Sequence, residues 1–303
     1  MNVCIVGFGE TGVTIASLIN AQKSGVVFNV LDPSDHIRGR VMDLKHAIVD
    51  RNNEFCLNNF KSAANADFLF YCAGVRNEKG ADRTSVVKAN KDIIHKVFDD
   101  FDLKNSCKII VVTNPVELIS QWISERFNHQ LTVVGTGTGL DAVRLVSLIS
   151  ELLKVAPKNV NTTVIGEHGS NMVPVYSSTI VNKRALTEYL NSDALSKLTS
   201  DLKGVATEIR KTEEATKFGV GQFAVSVMNS FLSKESTVIP LSIKCSKAYQ
   251  ETLDIEEELF LSLPCKIINY SVEVLPPIEL SEEEFSQFQK AAQELLRINK
   301  SVN

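Results

Sequence analysis

The chain has 303 residues, enough for two domains of roughly 150 residues or one large one. Hydrophobic residues at 44% and charged residues at 22% match a folded globular protein, which excludes disordered, collagen-like and coiled-coil readings. A net charge of −4 without any long basic run excludes a nucleic-acid surface or an anionic-membrane patch.

The chain enters an apolar strand pattern at once, without the basic start and cleavage site of an export signal, so no export is expected. Its apolar stretches fall far short of the roughly 20 residues of a membrane helix. Six cysteines, at positions 4, 56, 72, 107, 245 and 265, are scattered, with no pair at metal-site or redox-motif spacing. They read as reduced, mostly buried thiols of a cytoplasmic protein without a metal site.

In chain order, Asn2 to Val6 predicts a strand, Thr11 to Ala21 a buried helix and Val26 to Leu31 a second strand. Further apolar runs recur at Phe68 to Cys72, Ile109 to Val112 and Leu131 to Val134, separated by segments of helical periodicity. One of these places Val86, Val87, Ala89, Ile93, Ile94, Val97 and Phe98 on a single face. Fully apolar strands alternating with helices predict a doubly wound α/β domain around a parallel sheet. From about Gly135 the pattern changes to longer helices (Leu140 to Leu153, Ala194 to Arg210, Gly219 to Leu232) and short β runs near Val164, Ile239, Phe260 and Ile267. The predicted division is therefore 1–134 and an α+β domain over 135–303, tightly packed because no flexible linker separates them. Ser281 and Glu284 predict a capping box for a last helix burying Phe285, Phe288, Ala292, Leu295 and Leu296.

Gly7, Gly9 and Gly12 spell GFGETG between the first strand and the first helix. Glycines also mark ordinary turns, and the motif alone is weak. Here Asp32 ends the second strand 20 residues past Gly12, which is the context of a dinucleotide-binding turn. The glycines let backbone N–H groups approach a pyrophosphate, and Asp32 accepts from the adenosine ribose hydroxyls. Its charge repels a 2′-phosphate, so the expected cofactor is NAD and not NADP.

Further segments follow in order: AGVRNEKGADR from Ala73 to Arg83, Thr113-Asn114-Pro115-Val116, VGTGTGLDAVR from Val134 to Arg144, and VIGEHG from Val164 to Gly169. With MDLKHA at Met42 to Ala47, the chain resembles the lactate/malate dehydrogenase family, collinearly over nearly its whole length. The resemblance implies a Rossmann NAD-binding domain followed by a substrate domain, and a homo-oligomer, dimer or tetramer. It also implies hydride transfer between an L-2-hydroxy acid and its 2-keto acid.

Carried onto this sequence, the resemblance makes His168 the acid/base at the C2 oxygen. Asp141 orients its imidazole and raises its pKa. Arg144, one turn further along the helix, grips the substrate carboxylate. Arg83, on the segment similar to the family's closing loop, polarises the C2 oxygen. Asn114 contacts substrate and nicotinamide, and Thr216 lines the pocket. Each has a plain alternative: Asp141 and Arg144 alone would read as an exposed helix ion pair worth under about 1 kcal/mol, and a single His as a surface or core residue. In the family, the residue six before the loop arginine reads the far end of the substrate, Arg in malate enzymes and usually Gln in lactate enzymes. Here it is Asn77, with Arg76 beside it. A neutral amide leaves a second carboxylate unpaired at about 3–5 kcal/mol, or roughly two to three decades against oxaloacetate. The expectation is L-lactate and pyruvate, as in glycolysis or fermentation. The alternatives are a larger 2-hydroxy acid, malate, or a non-catalytic binding relative. Val146 and Asn161 stand where activated bacterial members carry Arg and His, so no activation by fructose bisphosphate is expected.

Overall fold

The computed structural model describes residues 1–47, 49–75, 83–99, 101–213 and 216–302, and their side chains except those of 83–85. The first half alternates β1 (Asn2–Val6), α1 (Glu10–Gln22), β2 (Val27–Leu31), α2 (Ile37–Ala47), β3 (Glu54–Leu57), α3 (Phe60–Ala63), β4 (Phe68–Tyr71), α4 (Arg83–Phe98), β5 (Lys108–Val111), α5 (Val116–Arg126) and β6 (Thr132–Gly135). The second half contains α6 (Gly139–Leu153), β7 (Val160–Asn161), β8 (Val164–Gly166), β9 (Met172–Pro174), β10 (Ile180–Val181), β11 (Arg184–Ala185) and α7 (Ser192–Ile209). It closes with α8 (Lys217–Leu232), β12 (Thr237–Lys244), α9 (Lys247–Leu253), β13 (Phe260–Ile268), β14 (Ser271–Val274) and α10 (Glu282–Val302).

The first six strands are parallel in the order β3-β2-β1-β4-β5-β6. Their residues alternate between two cores. Cys4, Val6, Leu69, Tyr71, Ile109 and Val111 face Ile119 and Ile123 of α5 and Phe288 and Leu295 of α10. Val3, Ile5, Phe68, Phe70 and Ile110 face Ile15 and Ile19 of α1 and Ala224 and Met228 of α8. With both faces covered, the inner strands β1, β4, β5 and β6 are mostly apolar, which is why the sequence shows runs there instead of alternation. The order reverses between β1 and β4, opening a crevice at their carboxyl ends.

The sheet continues into the second half. Ser242 of β12 pairs antiparallel with Gly135 of β6, and β13, β8 and β9 follow. Gly135 permits the approach, since a Cβ there would lie 2.6 Å from Ser120 Oγ and 2.8 Å from Ser242 Cβ. On one face α8 crosses α1 where Gly221 meets Thr14, 2.7 Å from the position of a Cβ.

Several elements depart from the sequence expectation. α2 and β3 were not expected: β3 is an edge strand with only Phe55 buried, and α2 is amphipathic, so neither makes a long apolar run. The β runs near Phe260 and Ile267 are one strand. The capping box of α10 forms, Ser281 N donating to Glu284 Oε2 (2.9 Å) and Glu284 N to Ser281 Oγ (3.3 Å). Phe285 and Leu296, however, are half-buried, while Ala291 and Ile298 complete the inner face. All six cysteines are free, and Cys56 and Cys72 are only partly buried. Among the described residues no helix is long and apolar enough to cross a membrane.

Candidate active site

The glycine turn sits at the crevice. Gly7 has φ +86°, and a Cβ on it would lie 2.5 Å from Ala73 N. A Cβ on Gly12 would lie 2.2 Å from Gly7 O, so this glycine packs α1 against its own turn. Gly9 has nothing within 4 Å of its Cβ position, leaving its backbone and the start of α1 open to a ligand. Asp32 follows β2, its Oδ2 accepting from Phe8 N (2.6 Å) and its Oδ1 from Ser34 N (2.8 Å). Each oxygen keeps a lone pair for a sugar hydroxyl. Asn58 braces the same residue, donating from Nδ2 to Asp32 O (3.0 Å) and accepting from Asp32 N (2.9 Å). Open glycine backbone, a helix N-terminus and an ordered carboxylate fit a dinucleotide.

Across from Gly7 lies the segment of residues 72–75 that follows β4. Asn90 of α4 is buried, accepts from Val75 N (2.7 Å) and donates to Asn114 O (3.1 Å). It thereby ties that segment to Asn114, which precedes Pro115 in a cis peptide after β5. Arg83 is the first residue of α4, so its backbone is helical and not part of a loop. Asn77 and Arg76 lie outside the described residues. Thr216 is the N-cap of α8 and makes no capping hydrogen bond with its side chain. The sequence did not single out Arg40 or Lys217. Arg40 reaches Phe8 O (2.7 Å) and Glu10 Oε1 (2.9 Å), and Lys217 lies 3.4 Å from Glu10 Oε2, linking α8 to the glycine turn.

Three of the expected residues converge where α6 meets the segment after β8. His168 Nδ1 lies 2.6 Å from Asp141 Oδ2, and Arg144 Nη1 donates to Asp141 Oδ1 at 3.1 Å. Asp141 is fully buried and the Arg144 side chain is 13% exposed, so the surface ion pair is ruled out. His168 is held at a tight bend: Gly166 has φ +94° and Gly169 has φ +140°, conformations that side chains disfavour. Its imidazole side chain remains 24% exposed.

Below the histidine lies a residue the sequence did not reveal. Glu117 of α5 accepts from His168 N (3.0 Å) and from Ser262 Oγ (2.9 Å), both at Oε1. Ser262 Oγ in turn accepts from Thr138 N (3.0 Å), and Thr138 Oγ1 donates to Val164 O at the start of β8. No motif marks Glu117 apart from its place two residues after Pro115. Burial pushes its carboxyl up to about 7, against the lowering effect of His168 and the donors at Oε1. Burial alone would pull the His168 imidazole down. The hydrogen bond and charge of Asp141 and the charge of Glu117 outweigh it, with Arg144 opposing, so the net shift is upward.

Comparison with known proteins gives the family. Residues 1–133 match the lactate/malate dehydrogenase NAD-binding domain, and 138–303 the lactate/malate dehydrogenase α/β C-terminal domain. The L-lactate dehydrogenase of Corynebacterium efficiens is 27% identical, the match covering 99% of this chain and 96% of that one. The L-lactate dehydrogenase C chain of Sus scrofa is also 27% identical, over 99% and 93%. Among solved structures, the minor L-lactate dehydrogenase of Enterococcus mundtii superposes with a TM-score of 0.88 at 26% identity, covering 100% of this chain and 98% of that one.

Proposed function

This chain belongs to the lactate/malate dehydrogenase family, and on that premise we propose that it interconverts an L-2-hydroxy acid and its 2-keto acid, L-lactate and pyruvate foremost. It is an oxidoreductase, and its cofactor is NAD, which when bound accepts or donates the hydride. Residues 1–134 form the cofactor half of this reading and 135–303 the substrate half.

The observation that carries the reading is the single buried carboxylate of Asp141 shared by His168 and Arg144. With Nδ1 committed to Asp141, the other ring nitrogen of His168 takes the substrate hydroxyl proton during oxidation and returns it during reduction. The imidazolium formed is stabilised by the adjacent carboxylate. Arg144 spends Nη1 on Asp141, which fixes its guanidinium plane, and the remaining edge of the fork takes the substrate carboxylate. Arg83 polarises the C2 oxygen, Asn114 contacts the same oxygen and the nicotinamide side, and Thr216 lines the pocket. Gly7, Gly9, Gly12 and Asp32 hold the dinucleotide. Asn77 reads the far end of the substrate, and its neutral amide favours pyruvate over oxaloacetate. With a net charge of only −4, the anionic substrate is drawn by these placed arginines and not by the global field.

NADH oxidation with pyruvate, 2-ketobutyrate, 2-ketoisocaproate, phenylpyruvate and oxaloacetate tests the reading. Pyruvate is expected to exceed oxaloacetate in kcat/KM by roughly two to three decades. Preference for oxaloacetate would overturn the substrate, and no turnover with any keto acid would overturn the activity. The same reading makes the protein a cytoplasmic homo-oligomer. Light scattering in solution should give a dimer or tetramer of the 33.4 kDa chain, and a monomer would contradict it.

A further inference from the structure

We propose that Glu117 is a positioning residue of the reaction, whose one oxygen clamps the His168 backbone to the helix bearing Asp141 and whose buried carboxyl sets a titratable charge against the segment that carries His168. The proposal deepens the reading of His168 as acid/base and rests on it. The geometry is a closed ring. Glu117 Oε1 takes His168 N–H and the Ser262 hydroxyl. Ser262 takes the N–H of Thr138, the N-cap of α6, and Thr138 returns to Val164, whose strand leads to His168. One buried carboxyl thus ties together α5, the histidine segment, β13 and the start of α6. Asp141 and His168 come from these joined pieces, so their 2.6 Å contact depends on the ring.

The acceptor role needs only one oxygen. Oε2 of Glu117 is buried and has no hydrogen-bond partner among the described residues, a costly arrangement for a purely structural acceptor. A glutamine would supply the same Oε1 without the charge, while placing an amide NH2 where Oε2 now lies without a partner. Among the described residues, the charged groups acting on His168 are Asp141 and Arg144 from α6 and Glu117 from α5, while β13 presents the uncharged Ser262. Asp141 and Glu117 raise the imidazole's proton affinity and Arg144 lowers it. Burial pushes the Glu117 carboxyl up to about 7, so its hold on the imidazolium strengthens as it loses its own proton on rising pH.

The test is the titration of His168 in the full-length protein, read from its imidazole Cε1 proton by NMR and assigned with His168→Gln. In Glu117→Gln, which keeps the acceptor and removes the charge, the midpoint should fall by about half a pH unit or more. The alkaline limb of pyruvate reduction should move down by the same amount, with KM for NADH within about twofold of the parent. Glu117→Asp keeps the charge but shortens the reach, so kcat should drop about tenfold or more from misplacement while the midpoint stays closer to the parent's. Where Glu117→Gln fails to fold, Ser262→Ala serves. It removes a donor from Oε1, pushes Glu117 further up and should lower the His168 midpoint at neutral pH. Superposable titrations and pH profiles in the variants would overturn the proposal and leave Glu117 a structural acceptor. The titration needs no turnover, so an inactive protein whose His168 midpoint still follows Glu117 would count against the activity alone.

Discussion

Arg144 and His168 are 24 residues apart in sequence, yet they bind opposite oxygens of the same carboxylate, Asp141, at 3.1 and 2.6 Å. Neither side chain is free to move without disturbing the other. In the proposed reaction, the group that would carry the proton and the group that would hold the substrate are thereby set in one frame, so that binding of the keto acid would align the reacting atoms.

Asp141→Asn tests that frame with little change in shape. The amide cannot stabilise the imidazolium and offers one acceptor where there were two, so kcat for pyruvate reduction should fall by about 10²–10⁴. NADH affinity, measured by fluorescence titration, should change little, because the glycine turn is untouched. Equal loss of both would place the site elsewhere.

Arg144→Lys keeps the charge and loses the planar fork. The expected result is a rise in KM for pyruvate of roughly ten- to a hundredfold, from loss of a charge-assisted two-point contact of about 1.5–3 kcal/mol. The measurement is a steady-state KM at saturating NADH. An unchanged KM would show that the substrate carboxylate sits on another group.

The pH dependence should differ by direction. As the proposed acid/base, His168 would have to be protonated to reduce a keto acid and neutral to oxidise a hydroxy acid. Its pKa lies above the ordinary histidine value, so reduction persists through neutral pH and declines as pH rises past that raised value. Oxidation climbs over the same interval. Rate profiles in both directions check this, and parallel profiles would exclude His168 as the shared group.

The three glycines of the turn should fail in different ways. Gly12→Ala brings a Cβ within 2.2 Å of Gly7 O, and Gly7→Ala adds a disfavoured φ of +86° to a 2.5 Å clash with Ala73 N, so both should lower the melting temperature by several degrees. Gly9→Ala meets nothing within 4 Å and should melt like the parent, losing NADH affinity alone. Calorimetry and NADH titration separate the two classes.

What could be read directly from the chain was local or periodic. The apolar runs foretold strands buried on both faces, and GFGETG with Asp32 foretold a turn whose glycines are needed for φ and for close approach. Asp141 and Arg144 stand at helical spacing, so their neighbourhood followed from the period of the helix. The amphipathic α2 and the edge strand β3 escaped because they bury little and so leave no continuous apolar run.

The sequence by itself determined an α/β chain with a glycine turn after its first strand and the family, and it pointed to His168, Asp141 and Arg144 as candidates. Only the tertiary structure decided that these three meet, and that Glu117 and Ser262, 145 residues apart, hold them from below. The physical reason is range. Helix and strand periods and turn conformations are set within a few residues. The partners of a buried carboxylate are set by where distant segments pack once the sheet has run on from β6 into β12.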